Sequence, residues 1–251
     1  MRKYPFINWL PYINSKLYGE LQFNENDRVI LQQPGYFNQL EAVLKLTNKR
    51  TIANYIVWRE FADYIPFLTS GLLDKAFDFF KTFSGRSVRQ PRWSDCVRGV
   101  SGMLSIAVSS MYVREYFSDE RIKQDIGEIV SEISSEFEKL LLANDWMDEV
   151  TKSEALEKLH AMSSNIAYPS ELLNDTLIED YYKNLSLNAT NYLQSASNID
   201  LHGKKFVCSR YHQPVNRSDW IDQSSTTFVN ANYNGKSNSI RKLHNFVNLY
   251  F

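Results

Sequence analysis

The stretch Arg92 to Phe117 constrains the fold more than any other, because its apolar residues repeat with the period of a helix. Trp93, Val97, Val100, Leu104, Ala107 and Met111 fall at alternating spacings of four and three. On one continuous helix of roughly seven turns they share a face. The expectation is a central helix with that stripe buried. The other side carries Gly99, Gly102, Ser101, Ser105, Ser109 and Ser110, small residues that let neighbouring helices approach closely. Nothing in the stretch is catalytic by itself.

A second stripe, Ile122, Ile126, Ile129, Ile133, Phe137 and Leu140, predicts a long buried helix to about Ala143, capped by Ser118 or Asp119. No proline stands between Pro91 and Pro169, which leaves room for three helices. Upstream, Tyr4–Tyr18 reads as a short helix, Arg28–Gln32 as a strand-like run ending at the turn signal Gln33-Pro34-Gly35, and Tyr36–Leu46 as amphipathic. Asn48 or Thr51 can cap the next helix, which meets Pro66, and Gly85 can close a further one over Leu72–Phe83. Downstream, Asp148 caps a helix whose inner side is Ala155, Leu159, Met162 and Ile166, and Pro169 ends it. A weaker, aromatic helix is expected over Ile178–Leu193, and an irregular connection from Ser195 to Ser225. Thr226–Tyr233 alternates like a strand, Asn234-Gly235 signals a hairpin, and Ser239–Leu243 follows. The fold class is mainly α, a multi-helix domain with a short β segment or hairpin at the C-terminus.

The formal charge of -1 leaves no electrostatic footprint for nucleic acid. The first sixteen residues lack the apolar core of a signal peptide, and no run reaches the roughly 18 apolar residues of a transmembrane segment. His160, His202, His212 and His244 have no second ligand at metal-binding spacing, and His160 is expected on the solvent side of its helix. There is no G-x-S-x-G and no phosphate-binding glycine loop, and Asp125, Glu128, Glu132, Glu154 and Glu157 read as solvated helix faces. No catalytic residue and no metal ligand emerges. Asn174, Asn184, Asn188 and Asn216 stand in N-glycosylation acceptor patterns, which matter only for a chain outside the cell. Cys96 and Cys208 leave free thiols, one bridge, or bridges to absent partners open.

The residues Trp146-Met147-Asp148, Thr151-Lys152, Ala155 with Lys158-Leu159, and Ile166 with Tyr168-Pro169 closely resemble a block of the neprilysin and endothelin-converting enzyme family of zinc metalloendopeptidases. Three more blocks agree in order. Asn54-Tyr55-Ile56-Val57-Trp58-Arg59 looks like the family's N-Y-x-x-W-R. Arg92-Trp93 with Cys96-Val97, then Ala107-Val108 and Met111-Tyr112-Val113, looks like its W-x-x-C-V…A-V-G-x-L-Y-V. Asp219-Trp220-Ile221, followed by Val229-Asn230-Ala231 and Tyr233, looks like its D-x-W-I…V-N-A-x-Y.

The resemblance implies a helical N-terminal lid, residues 1–200, a connecting segment, 201–224, and the first strands of a catalytic domain, 225–251. It implies zinc in the complete family enzyme, held by H-E-x-x-H and a later E-x-x-x-D; neither occurs in these 251 residues, so no cofactor is expected in this chain itself. It implies that Asn230 and Ala231 lie on an edge strand and bind the main chain of short peptide substrates. It implies an extracellular or cell-surface setting, and a partner for Cys96 upstream of this region. The chain departs from the family in Cys208 and in the basic run Ile240-Arg241-Lys242-Leu243-His244. Three functions follow: the N-terminal portion of a neprilysin-like peptidase, inactive alone; a non-catalytic peptide-binding or interfering short relative; and a helical structural module with no peptide site.

Overall fold

The computed structural model describes residues 3–117, 120–227 and 230–242. In chain order its helices are α1 (Trp9–Ser15), α2 (Pro34–Leu46), α3 (Lys49–Tyr64), α4 (Ser70–Ser84), α5 (Arg92–Met103) and α6 (Ser105–Tyr116). Then come α7 (Glu120–Ala143), α8 (Glu149–His160), α9 (Asp175–Tyr182), α10 (Tyr192–Ser209) and α11 (Trp220–Gln223). The strands are β1 (Ser163–Ile166), β2 (Ala231–Asn234) and β3 (Ser239–Lys242). The class is therefore mainly α, as the periodicity requires. The chain packs as two units, Met1–Pro91 with Leu185–Gln213, and Arg92–Asn184 with Pro214–Phe251.

In the first unit the local signals place most boundaries. The Asn48 side chain accepts from Arg50 N at 2.9 Å and starts α3. Pro66 has no N–H to continue that helix, and the chain tightens into a 3₁₀ turn at Ile65–Phe67. Gly85, at φ 65°, closes α4 in the left-handed conformation. Gln33-Pro34-Gly35 does not make a turn; Pro34 opens α2, where its missing N–H costs nothing. Arg28–Gln32 forms no strand, since no second strand lies beside it among the described residues. Tyr4 anchors the N-terminal end: its hydroxyl donates to Pro34 O at 2.8 Å, and its ring meets Phe37.

The connection expected from Ser195 is wrong over its first half, because α10 runs to Ser209. Asn191 caps α10 by accepting from Gln194 N at 3.0 Å, and Tyr192 packs on Phe67. Its inward side, Leu193, Ala196, Ile199 and Phe206, recurs at helical spacing but is interrupted at His202-Gly203 and set among Asn, Asp and Lys, so polar composition hid the period. The expected helix over Ile178–Leu193 is correspondingly short: α9 stops at Tyr182, and the chain is irregular up to α10.

In the second unit the expected central helix is two helices. Leu104 leaves the helical region at φ -110°, ψ 43°, and α5 and α6 meet at a bend of 103°. Most of the supposed buried stripe is exposed, Trp93 at 70% and Met111 at 72%, with Val97 and Val100 also open, while Leu104 and Ala107 beside the bend are half-buried. The bend resets the helical phase, so residues on its two sides no longer share a face. What α6 buries is Ile106 and Val113, with Ser109 and Ser110 between them. Those two serines admit backbone: Ser110 Oγ donates to Leu172 O at 2.7 Å, and Thr226 N donates to Ser109 Oγ at 3.0 Å.

Ile106, Val113 and Phe117 form a core with Ala167, Tyr168 and Leu172. On α7 the inner side is Ile126, Val130 and Leu141, whereas Ile129, Ile133, Phe137 and Leu140 of the predicted stripe face outward. Ser118, Asp119 and the side chain of Ile122 lie outside the described residues. Asp148 does cap α8, accepting from Thr151 N at 2.8 Å, which holds its carboxyl below the usual range. The helix ends at His160, before Met162 and Ile166, because Ser163–Ile166 instead pairs as β1.

The sheet has the order β1-β3-β2. β1 lies parallel to β3, Ser163 opposite Ser239, and β2 is antiparallel to it, Ala231 opposite Lys242. The hairpin signal at Asn234-Gly235 holds, with a four-residue loop, 235–238, in place of a two-residue turn.

Candidate functional site

Asn230 and Ala231 stand at the entry to β2, and β2 is an edge of the sheet. All four of its residues are exposed. In an antiparallel pair alternate residues direct their N–H and C=O groups away from the partner strand. Among the described residues no other strand takes up that outer row, so an extended chain can add to it by main-chain hydrogen bonds.

Asn230 is exposed, and its Oδ1 accepts from Ala231 N at 2.8 Å. This contact turns the carboxamide along the strand and leaves its Nδ2 as a donor group beside the edge. Neighbouring residues set the strand's two faces. Tyr233 lies toward α8, with Lys158 Nζ 5.9 Å from its ring, and Asn232 is opposite Arg241 on β3.

Arg241 belongs to the basic run that departs from the family pattern, and its placement shows why a cation fits there. Its guanidinium donates to Gln223 O at 2.6 Å, Ser225 O at 2.7 Å and Asp222 O at 3.2 Å. Partial burial lowers its pKa, and the nearby Asp222 charge opposes that. The side chain collects the carbonyls at the end of α11 and ties the approach to β2 onto the central strand. Spacing gave no sign of this contact. Leu243 and His244, from the same run, and Val229 lie outside the described residues.

The other sequence candidates are dispersed. His160 is exposed and meets Glu138 at 3.0 Å, joining α8 to α7, and His212 packs on Phe23 in the first unit. Asp125, Glu128, Glu132, Glu154 and Glu157 are all exposed on helices. Among the described residues no three His, Cys, Asp or Glu side chains converge as a metal site. A zinc ion is therefore not fitted by them. Cys96 and Cys208 are not joined; Cys208 is buried with Sγ 3.6 Å from Lys16 O. No single described helix is long and apolar enough to cross a membrane. The four acceptor asparagines are exposed. Asn174, Asn188 and Asn216 each accept through Oδ1 from the N–H of the Ser or Thr two residues on.

The motif residues of the resemblance largely build structure. Asp148 caps α8, while Tyr168 packs edge-on to Phe117 with centroids 5.1 Å apart and Lys123 above it. The sequence profile of the N-terminal region of peptidase family M13 matches residues 1–169. The chain belongs to peptidase family M13. It is 32% identical to neprilysin-2 of Drosophila melanogaster over 95% of its length and 32% of that protein's. It is 26% identical to endothelin-converting enzyme 1 of Bos taurus over 94% of the chain and 31% of that enzyme. The zinc metalloprotease of Mycobacterium tuberculosis, solved with an inhibitor, has the same fold at TM-score 0.73 and 22% identity, covering 87% of this chain and 31% of that one. The PepO structure from Lactobacillus rhamnosis aligns at TM-score 0.66 and 21% identity over 82% of this chain and 31% of that one. The chain thus spans about a third of the length of these M13 relatives, and it is a neprilysin-like N-terminal peptidase region.

Proposed function

We propose that this chain supplies a neprilysin-like zinc metalloendopeptidase with its helical lid and the first strand that receives short peptides. In this reading residues 1–200 are the lid, 201–224 the connection, whose first nine residues are the end of α10, and 225–251 the start of the catalytic domain. Asn230 and Ala231 hold the substrate's main chain, the carboxamide donating from Nδ2 and the edge of β2 pairing with the extended peptide. Such pairing fixes the peptide's direction without reading its side chains. The observation that carries the reading is the exposed edge strand β2, opening with Asn230-Ala231 in a chain that belongs to the M13 family.

The 251 residues contain no H-E-x-x-H, so hydrolysis needs groups that they do not supply. Zinc belongs to the complete enzyme, where it would polarise the scissile carbonyl and activate water. The setting is extracellular, which accords with four exposed glycosylation acceptors at Asn174, Asn184, Asn188 and Asn216.

The test is made on the chain secreted from a eukaryotic host. Glycosidase treatment should lower its mass. A blocked hexapeptide should bind weakly, and Asn230→Ala should weaken that binding by up to about tenfold, the upper end of what one neutral hydrogen bond contributes. Added zinc should give no phosphoramidon-sensitive cleavage. Turnover by the chain alone, or equal binding by Asn230→Ala, sinks the corresponding part of the proposal.

A further inference from the structure

An edge strand is held from one side only, and β2 has just four residues. Its outward groups can meet a peptide in register only if the strand does not fray from β3. Something beyond the ladder must hold it.

The loop between β2 and β3 contains one residue that touches every element around the hairpin. Asn238 sits at φ 49°, in the left-handed region that asparagine tolerates better than most residues. Its Nδ2 donates to Lys158 O at 2.8 Å, one of the last-turn carbonyls of α8 that has no helical partner. Its Oδ1 accepts from Tyr233 Oη at 2.9 Å, so the carboxamide grips β2 with its other end. Its main-chain oxygen accepts from Ser163 N at 3.0 Å, at the entry to β1. β1 and β2 are not neighbours in the sheet, yet Asn238 bonds to both margins and to the helix packed beside them. Among the described residues Tyr233 also receives Lys158 Nζ near its ring, which places the same two residues together a second time.

We infer that Asn238 is a positioning residue for peptide capture, fixing the edge strand β2 against α8 through Tyr233 and Lys158. This rests on the reading of β2 as the peptide-receiving strand. Without the carboxamide, β2 keeps its ladder and the Lys158–Tyr233 contact but loses its hydrogen-bonded tie to α8, and a peptide that pairs with it must first order the strand. Ordering a single backbone residue on binding corresponds to roughly a tenfold loss of affinity.

Three variants of the full 251-residue chain separate this role from general stability. Asn238→Gly keeps the left-handed backbone and removes both side-chain bonds; Asn238→Asp keeps the acceptor for Tyr233 and turns a second acceptor toward the Lys158 carbonyl; Tyr233→Phe removes only the hydroxyl. The probe is a blocked, uncharged hexapeptide, titrated while backbone amide signals and hydrogen exchange are followed by NMR. Asn238→Gly should bind about tenfold more weakly and lose exchange protection at 231–234 while α6 and α7 keep theirs. Tyr233→Phe should fall between it and the unaltered chain, and Asn238→Asp, with acceptor facing acceptor at Lys158 O, should also bind more weakly than the unaltered chain. Equal binding by Asn238→Gly and the unaltered chain overturns the inference and leaves the proposed function standing. Loss of protection throughout the second unit also overturns it, because the residue would then be merely structural. If the unaltered chain takes no peptide, the reading of β2 fails and this inference fails with it.

Discussion

At the scale of single residues, Tyr182 shows how a distant side chain can decide where a helix begins. α6 starts at Ser105 with Leu104 as its N-cap, and no side chain of the local sequence caps it. The Tyr182 hydroxyl lies close enough to the backbone N–H groups of Ala107 and Ile106 for both to lower its pKa, and these are two of the donors that every helix start leaves unpaired. Burial is the larger influence on that hydroxyl and pushes its pKa up to about 12 from 10.0. A raised value means that the folded state holds the proton more tightly. The resulting stabilisation is complete below pH 10 and is lost as pH rises from there through about 12. Tyr182→Phe should lower stability by about 1–2 kcal/mol near neutral pH, the cost of unpaired donors at a buried helix end. It should also flatten the alkaline limb of the stability profile, which denaturant titrations at several pH values would show. A melting profile that keeps the same alkaline limb would separate Tyr182 from that role. Asp148, Asn48 and Gly85 were legible in the sequence because each acts on its own turn of helix. Tyr182 was not, since its partners lie more than seventy positions away and no spacing rule links them. The same holds for Arg241, whose charge in a strand is accounted for by the carbonyls of Asp222, Gln223 and Ser225, 16 to 19 positions away.

At the scale of elements, a strong apolar period located helices correctly and misjudged which faces they bury. The stripe from Trp93 to Met111 is real as sequence, but a bend of 103° at Leu104 divides it between two helices. No proline stands in Gly102-Met103-Leu104-Ser105, but Gly102 and Ser105 flank the bend, and helices kink at such Gly/Ser pairs. Ser109 and Ser110 win the inside of α6 because hydroxyls that small can hydrogen-bond approaching backbone, at Thr226 N and Leu172 O. On α7 the two halves of the apolar surface have different fates. Ile126 is 0% exposed, while Ile133, about two turns further on, is 61% exposed. Truncating them should therefore have unequal consequences. Ile126→Ala removes a fully packed side chain and should cost about 2–5 kcal/mol, whereas Ile133→Ala or Trp93→Gln should stay within about 0.5 kcal/mol. Urea titration of the three variants decides it; equal losses would mean that the outward faces are buried in solution.

At the scale of the whole molecule, those outward faces are too extensive to be incidental. Tyr55, Ile56, Val57 and Trp58 on α3, Phe79, Phe80 and Phe83 on α4, and the outer stripe of α7 all face solvent. Several of these belong to the blocks that mark the M13 family, Asn54-Tyr55-Ile56-Val57-Trp58-Arg59 among them. The sequence revealed these residues as apolar and periodic, and that pattern alone is the same whether a face is covered by the chain's own core or left open. Exposed apolar area of this kind drives association at ordinary concentrations. The chain by itself should consequently bind a hydrophobic dye and self-associate at micromolar concentration. Replacing Ile133, Phe137 and Leu140 together by Lys, Glu and Gln should reduce both without lowering the melting temperature by more than a few degrees, because none of the three packs in the core. Light scattering and dye fluorescence on the two proteins test this directly. A monodisperse, dye-silent unaltered chain would mean that the outer stripe of α7 is covered from within, and the two-sided reading of that helix would have to be abandoned.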